Sequence, residues 1–159
     1  MKIATILAAL CTPLALASCA TTSTVTETTV AQPSPADVVA ARQAAFNLTA
    51  STFGSMRGAV ESGADVKPLT FGARGLNRWA QALPAMFPAD TQLPESRAKP
   101  TVWADRAGFE ARAAAFQAAT AKLLAAAQAG DKAAFGAAYK DVGGTCGACH
   151  SGYRAEDAH

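Results

Sequence analysis

Near the C-terminus of this chain Phe135, Tyr139, Val142, Cys146, Cys149 and Tyr153 follow one another at steps of four and three. That period is the inward stripe of a bundled α-helix, and it carries two cysteines. The same cysteines frame Cys146-Gly147-Ala148-Cys149-His150. On a helix, positions 146, 149 and 150 lie at i, i+3 and i+4 and point to one side. Cys-x-x-Cys-His is the spacing of c-type haem attachment: two thiols add across the two vinyl groups, and the next residue offers a neutral imidazole to iron. A thioredoxin-like dithiol would stand at a helix start behind a strand, and no strand pattern precedes this one. A zinc site needs further Cys or His ligands, and the only other histidine is His159.

The chain begins as an export signal does, with Lys2 and then a short apolar run from Ile3 to Ala17, below the ~20 residues of a spanning helix. Leu16-Ala17-Ser18-Cys19 resembles a lipoprotein lipobox, in which the cysteine becomes the first residue and is acylated. Cleavage after Ala15-Leu16-Ala17 is the competing reading. Residues 1–18 are thus expected to be a lipoprotein-type signal, and residues 19–35 a lipidated Cys19 followed by a flexible tether rich in Thr, Ser, Ala and Pro. Such a chain would be periplasmic and membrane-anchored as a lipoprotein. Cys11 leaves with the signal, so no cysteine remains for a disulfide. Without Lys2 the formal net charge falls from +2 to +1, which argues against a nucleic-acid partner.

Residues 36–157 make one domain of ordinary size. Ser34-Pro35-Ala36-Asp37 opens the first predicted helix, which runs to about Val60 before Gly63. Its inward stripe is Val39, Arg42, Phe46, Thr49, Phe53, Met56 and Val60. A second helix is predicted over about Thr70–Met86, with Leu69, Leu76, Trp79, Ala80 and Leu83 inward. A proline-rich loop follows. The third runs from about Val102 to Ala129, slim with alanine, until Gly130. The fourth is capped by Asp131 and reaches about Glu156. The expected fold is all-α: an antiparallel four-helix bundle with haem c near the C-terminus. The haem cysteines lie on the core stripe, so the haem packs into the bundle. Gly143-Gly144 leaves room for the macrocycle or a neighbouring helix, or else breaks the helix locally.

Three segments carry a family resemblance: Arg42-Gln43-Ala44-Ala45-Phe46 with Phe53-Gly54-Ser55-Met56; Ser96-Arg97-Ala98-Lys99-Pro100-Thr101-Val102-Trp103; and Asp141 through Arg154, with its Tyr153-Arg154 tail. Together they make the chain resemble the cytochrome c′ family, the class II c-type cytochromes, over about residues 36–156. The second helix departs from the family at Asn77-Arg78-Trp79, where members are usually aliphatic.

The resemblance implies one covalently bound haem c, attached at Cys146 and Cys149, with His150 as the axial ligand of a five-coordinate iron. Phe46 matches the apolar side chain that covers the distal face, where low-spin relatives carry Met. Arg42 and Gln43 match residues that bind a haem propionate; a charge on a core stripe needs a partner in any case. Arg154 matches a residue flanking the axial His. Family members are often dimers through the first two helices. Met56 and Met86 read as core or loop residues rather than iron ligands, and His159 as a chain end.

The expected function is that of a cytochrome c′-type haem protein. It transfers electrons with a periplasmic redox partner, binds small gases (NO, CO) at a high-spin iron, or does both. The alternative is a six-coordinate low-spin, membrane-tethered electron carrier. An enzyme is not expected: a peroxidase would want a distal His or Arg, and Phe46 supplies neither.

Overall fold

The computed structural model describes residues 32–156. The expected signal, Cys19 and most of the tether lie outside the described residues, as do Asp157 and His159. The described chain contains α1 (Pro35–Ser55), α2 (Arg57–Ser62), α3 (Thr70–Ala82), α4 (Thr101–Ala104), α5 (Arg106–Ala129) and α6 (Lys132–Tyr153).

Local chemistry sets most of the ends. Ser34 and Asp37 form a reciprocal capping box ahead of α1, with Pro35 in its first turn. Gly63 and Gly130 stop α2 and α5 in the left-handed region, at φ 65° and 72°, where glycine carries no Cβ penalty. Asp131 caps α6 by accepting from Ala134 N at 2.9 Å.

Four boundaries differ from the sequence expectation. The second helix, expected to reach Met86, gives way to a tighter 3-10 turn over Leu83–Met86, with Pro84 in it. The first helix breaks at Met56, whose side chain is buried in the core. The expected helix from Val102 to Ala129 is cut at Asp105. Its carboxylate accepts from Gly108 N at 3.1 Å and so starts a new helix. The last helix ends at Tyr153, short of Glu156, because Arg154 turns extended and bridges to Ala98.

The alanine-rich α5 is the central helix, packed along both α3 and α6, and α1 lies on α3. The core runs through Met56, Leu76, Val102, Phe109, Leu123, Phe135 and Val142. Each such side chain contributes about 1.5–3 kcal/mol by leaving water. By contrast, α1 and α6 scarcely touch. They run antiparallel and meet where Phe53 stacks on Tyr139, centroids 4.2 Å apart. Beyond that stack the two helices make few contacts, which leaves a sparsely packed seam between them. Gly143 remains helical; a Cβ there would lie 3.6 Å from the Phe53 ring, so its smallness admits a neighbouring side chain.

Candidate functional site

The seam brings the expected site residues to one level. Two helical turns before Phe53 on α1 stands Phe46. Two turns after Tyr139 and Gly143 on the antiparallel α6 stand Cys146 and His150. At 1.5 Å per residue both steps are about 10 Å, so Phe46 lies across the seam from the Cys146–His150 segment.

Cys146 and Cys149 are half-buried and not disulfide-bonded. Burial pushes both thiols above their ordinary pKa; Cys146 raises Cys149 further, and Arg112 opposes this. His150 is exposed on α6. Partial burial of its ring, followed by the cations Arg154 and Arg97, holds its pKa below the ordinary histidine value. The imidazole is therefore neutral at pH 7, the form that ligates iron. Among the described residues no cluster of three or more His, Cys, Asp or Glu is placed to hold a bare metal ion.

On the far wall Phe46 meets Trp79 edge-on, centroids 5.3 Å apart with planes at 87°, and Phe87 at 6.4 Å. The wall is aromatic and offers iron no lone pair from Phe46. Two neutral thiols, an accessible imidazole and a sparsely packed seam with an apolar far wall fit a covalently attached haem.

Arg42 is 2% exposed. Its Nη1 donates to Met86 O at 3.1 Å and to Thr91 Oγ1 at 2.7 Å. Its Nη2 donates to Thr91 O at 3.1 Å and to Ser96 Oγ at 2.6 Å. The guanidinium also lies 4.4 Å over the Phe87 ring. Gln43 donates to Glu95 O at 2.9 Å. Both residues therefore hold the loop after α3, and the acceptors of Arg42 there are uncharged. Its Nε makes no hydrogen bond among the described residues.

The same loop is bound to the end of α6. Lys99 N donates to Tyr153 O at 2.9 Å, Ala155 N to Arg97 O at 2.8 Å, and Thr101 Oγ1 to Gly152 O at 2.8 Å. Arg154 N donates to His150 O at 3.2 Å, so Arg154 sits directly after the imidazole's turn. The loop thus straps α1 to α6 across one end of the seam. Sequence reasoning overlooked Thr91 and Ser96. The available signal was a buried cation, which requires acceptors from whatever packs on it.

A helical bundle with two neighbouring half-buried thiols and an adjacent imidazole defines the class of c-type haem proteins built on four helices. Residues 37–154 match the family model described as cytochrome C′. The cytochrome c′ of Alcaligenes xylosoxydans xylosoxydans is 40% identical over 122 residues, spanning 76% of this chain and 94% of that protein. Among solved structures, a ferrous arginine-to-lysine variant of cytochrome c prime from Alcaligenes xylosoxidans with bound NO superposes with a TM-score of 0.73. It is 36% identical, covering 80% of this chain and all of that one. A carbon-monoxide-bound leucine-to-glycine variant of the same cytochrome also scores 0.73, at 37% identity, covering 79% of this chain and all of that one. This chain belongs to the cytochrome c′ family, whose members bind one covalently attached haem c.

Proposed function

We propose that the protein binds nitric oxide and carbon monoxide at a five-coordinate, high-spin haem iron, and that it exchanges electrons through the same haem. Cys146 and Cys149 would hold the haem by thioether bonds, and His150 would ligate its iron. When bound, the haem would supply a redox-active iron.

The observation that carries this reading is Phe46, level with His150 on the opposite wall of the seam. Its ring excludes water and offers no sixth ligand. A small neutral gas would form a bond strong enough to displace a partly buried side chain held by apolar and ring contacts alone. With no proton-handling group at Phe46, we read the protein as a binding and transfer protein rather than an enzyme.

Arg42 and Gln43 hold the loop at the haem edge and leave Arg42 Nε for a propionate. Arg154 supports the proximal side. The α5–α6 groove beside Cys149, lined by Arg112, Lys122, Lys140 and Asp141, supports docking of an acidic redox partner. Leu48 and Phe71, 69% and 87% exposed, support a homodimer through α1 and α3. The sequence supports a periplasmic location with Cys19 acylated, which would tether the domain to a membrane.

The deciding experiment is the absorption spectrum of the purified ferrous protein, before and after NO or CO. The expected result is a high-spin spectrum that shifts with gas. A low-spin spectrum indifferent to gas would reveal a sixth ligand and replace this reading with a six-coordinate electron carrier. Replacing Cys146 and Cys149 by Ala should abolish covalent haem; retained covalent haem would refute the attachment site.

A further inference from the structure

The second wall residue has a polar atom with nothing to do. Trp79 Nε1 is buried without a hydrogen-bond partner among the described residues. Buried N–H groups are nearly always partnered, and an unused one opposes folding. Helix α3 is not careless with its polar groups elsewhere. Asn77, two positions earlier, donates to Thr120 Oγ1 at 3.2 Å and accepts from Gln81. The indole of Trp79 stands edge-on to Phe46, centroids 5.3 Å apart, which is the ring that covers the iron position in the reading above. An aromatic ring is at most a weak acceptor for such a group.

We infer that the Trp79 indole N–H is the distal hydrogen-bond donor for a diatomic gas on the haem iron. This rests on the distal placement of Phe46. On that reading a gas can occupy the iron only where the Phe46 ring has moved, and Trp79 is a ring that Phe46 packs on. Ferrous iron donates electron density into a bound diatomic, and the outer atom becomes an acceptor. Indole is a donor only, so it favours the gas-bound over the empty iron and cannot itself ligate the metal. The site therefore selects ligands whose outer atom carries negative charge, nitric oxide or dioxygen, more strongly than carbon monoxide. The Phe46 wall alone would make no such distinction.

The test is the C–O stretching band and the CO dissociation rate of the haem-loaded protein, compared with Trp79→Phe. Trp79→Phe is expected to raise the stretching frequency, and to speed dissociation about two-fold, the low end of a hydrogen bond's contribution, as bound carbon monoxide is a weak acceptor. Trp79→Gln, which restores an N–H, should move the band back. A second measurement needs no substitution: transfer of the wild-type carbonyl complex into D2O should displace its iron–carbonyl bands. A CO band unmoved in Trp79→Phe and in D2O overturns the inference. So does a variant that alters only the reduction potential, because the N–H would then serve a propionate. Failure of the wild-type protein to bind CO would overturn this inference together with the proposed function; an unmoved band on a protein that does bind CO overturns this one alone.

Discussion

Thr91 is the substitution that tests the strap most sharply. It is fully buried, and its hydroxyl works twice: it accepts from Arg42 Nη1 at 2.7 Å and donates to Pro88 O at 2.8 Å. Thr91→Val keeps the shape and removes both bonds. A bond to a charged donor contributes about 1.5–3 kcal/mol and a neutral one about 1 kcal/mol. The guanidinium, already at 2% exposure, would be left with one N–H facing a methyl. The expected loss is about 3 kcal/mol, or roughly 10 °C in Tm for a domain of this size. The assay is thermal unfolding of the haem-loaded protein followed by helical circular dichroism, with Thr91→Ser as the control that keeps the hydroxyl. A Thr91→Val loss under about 1 kcal/mol would refute the reasoning, because Arg42 would then not depend on this loop. So would a Thr91→Ser loss as large as that of Thr91→Val.

Phe46→Met should convert the haem to a six-coordinate low-spin form; an unchanged spectrum would remove Phe46 from the distal face. Tyr153 Oη donates to Asp105 Oδ2 at 2.7 Å, a bond that raises the tyrosine pKa above 10.0 and lowers the aspartate's below 3.8. Above pH 10 the unfolded chain loses its phenol proton first, and below pH 4 it gains a carboxyl proton first, so both extremes cancel the contribution. Tyr153→Phe should therefore be less stable than the parent in the middle of that window and converge with it at either end, as read by urea midpoints. Gly130→Ala should cost about 1 kcal/mol or more, since φ is 72° and a Cβ would come 2.8 Å from Lys67 Cε. Gly58→Ala, on α2 with nothing within 4 Å of the new Cβ, should instead stabilise by about 0.5–1 kcal/mol; equal melting shifts for the two would contradict the backbone argument.

What could be read from the chain and what could not divide along sequence distance. The stops at Gly63 and Gly130, the Ser34 and Asp131 caps and the single side shared by Cys146, Cys149 and His150 are local, and the four-helix architecture follows from them. The break at Asp105 is local only in part, through its cap on Gly108. Its carboxylate is held in part by Tyr153, from the far end of the chain, and no window around Asp105 contains that partner. Arg42 divides the same way. Its stripe position marked it as buried and in need of acceptors, but the acceptors it received come from a loop between α3 and α4. The helical period says nothing about where such a loop folds back. Trp79 was legible as an inward residue; that its indole nitrogen would lack a partner depends on packing from other helices.

Among the described residues α1 and α6 make few contacts, at the Phe53–Tyr139 stack and through the loop strap, so the two faces of a haem seated as proposed would hang from separate parts of the bundle. The thioether helix is fixed against α5, while the opposing face belongs to α1 and α3. On that reading a side-chain rotation at Phe46 would admit a ligand while the porphyrin's covalent anchor stayed still. On the proposed reading the barrier to ligand entry would be set by the Phe46 rotamer, and the compliance of the pocket could evolve without retuning how iron is held.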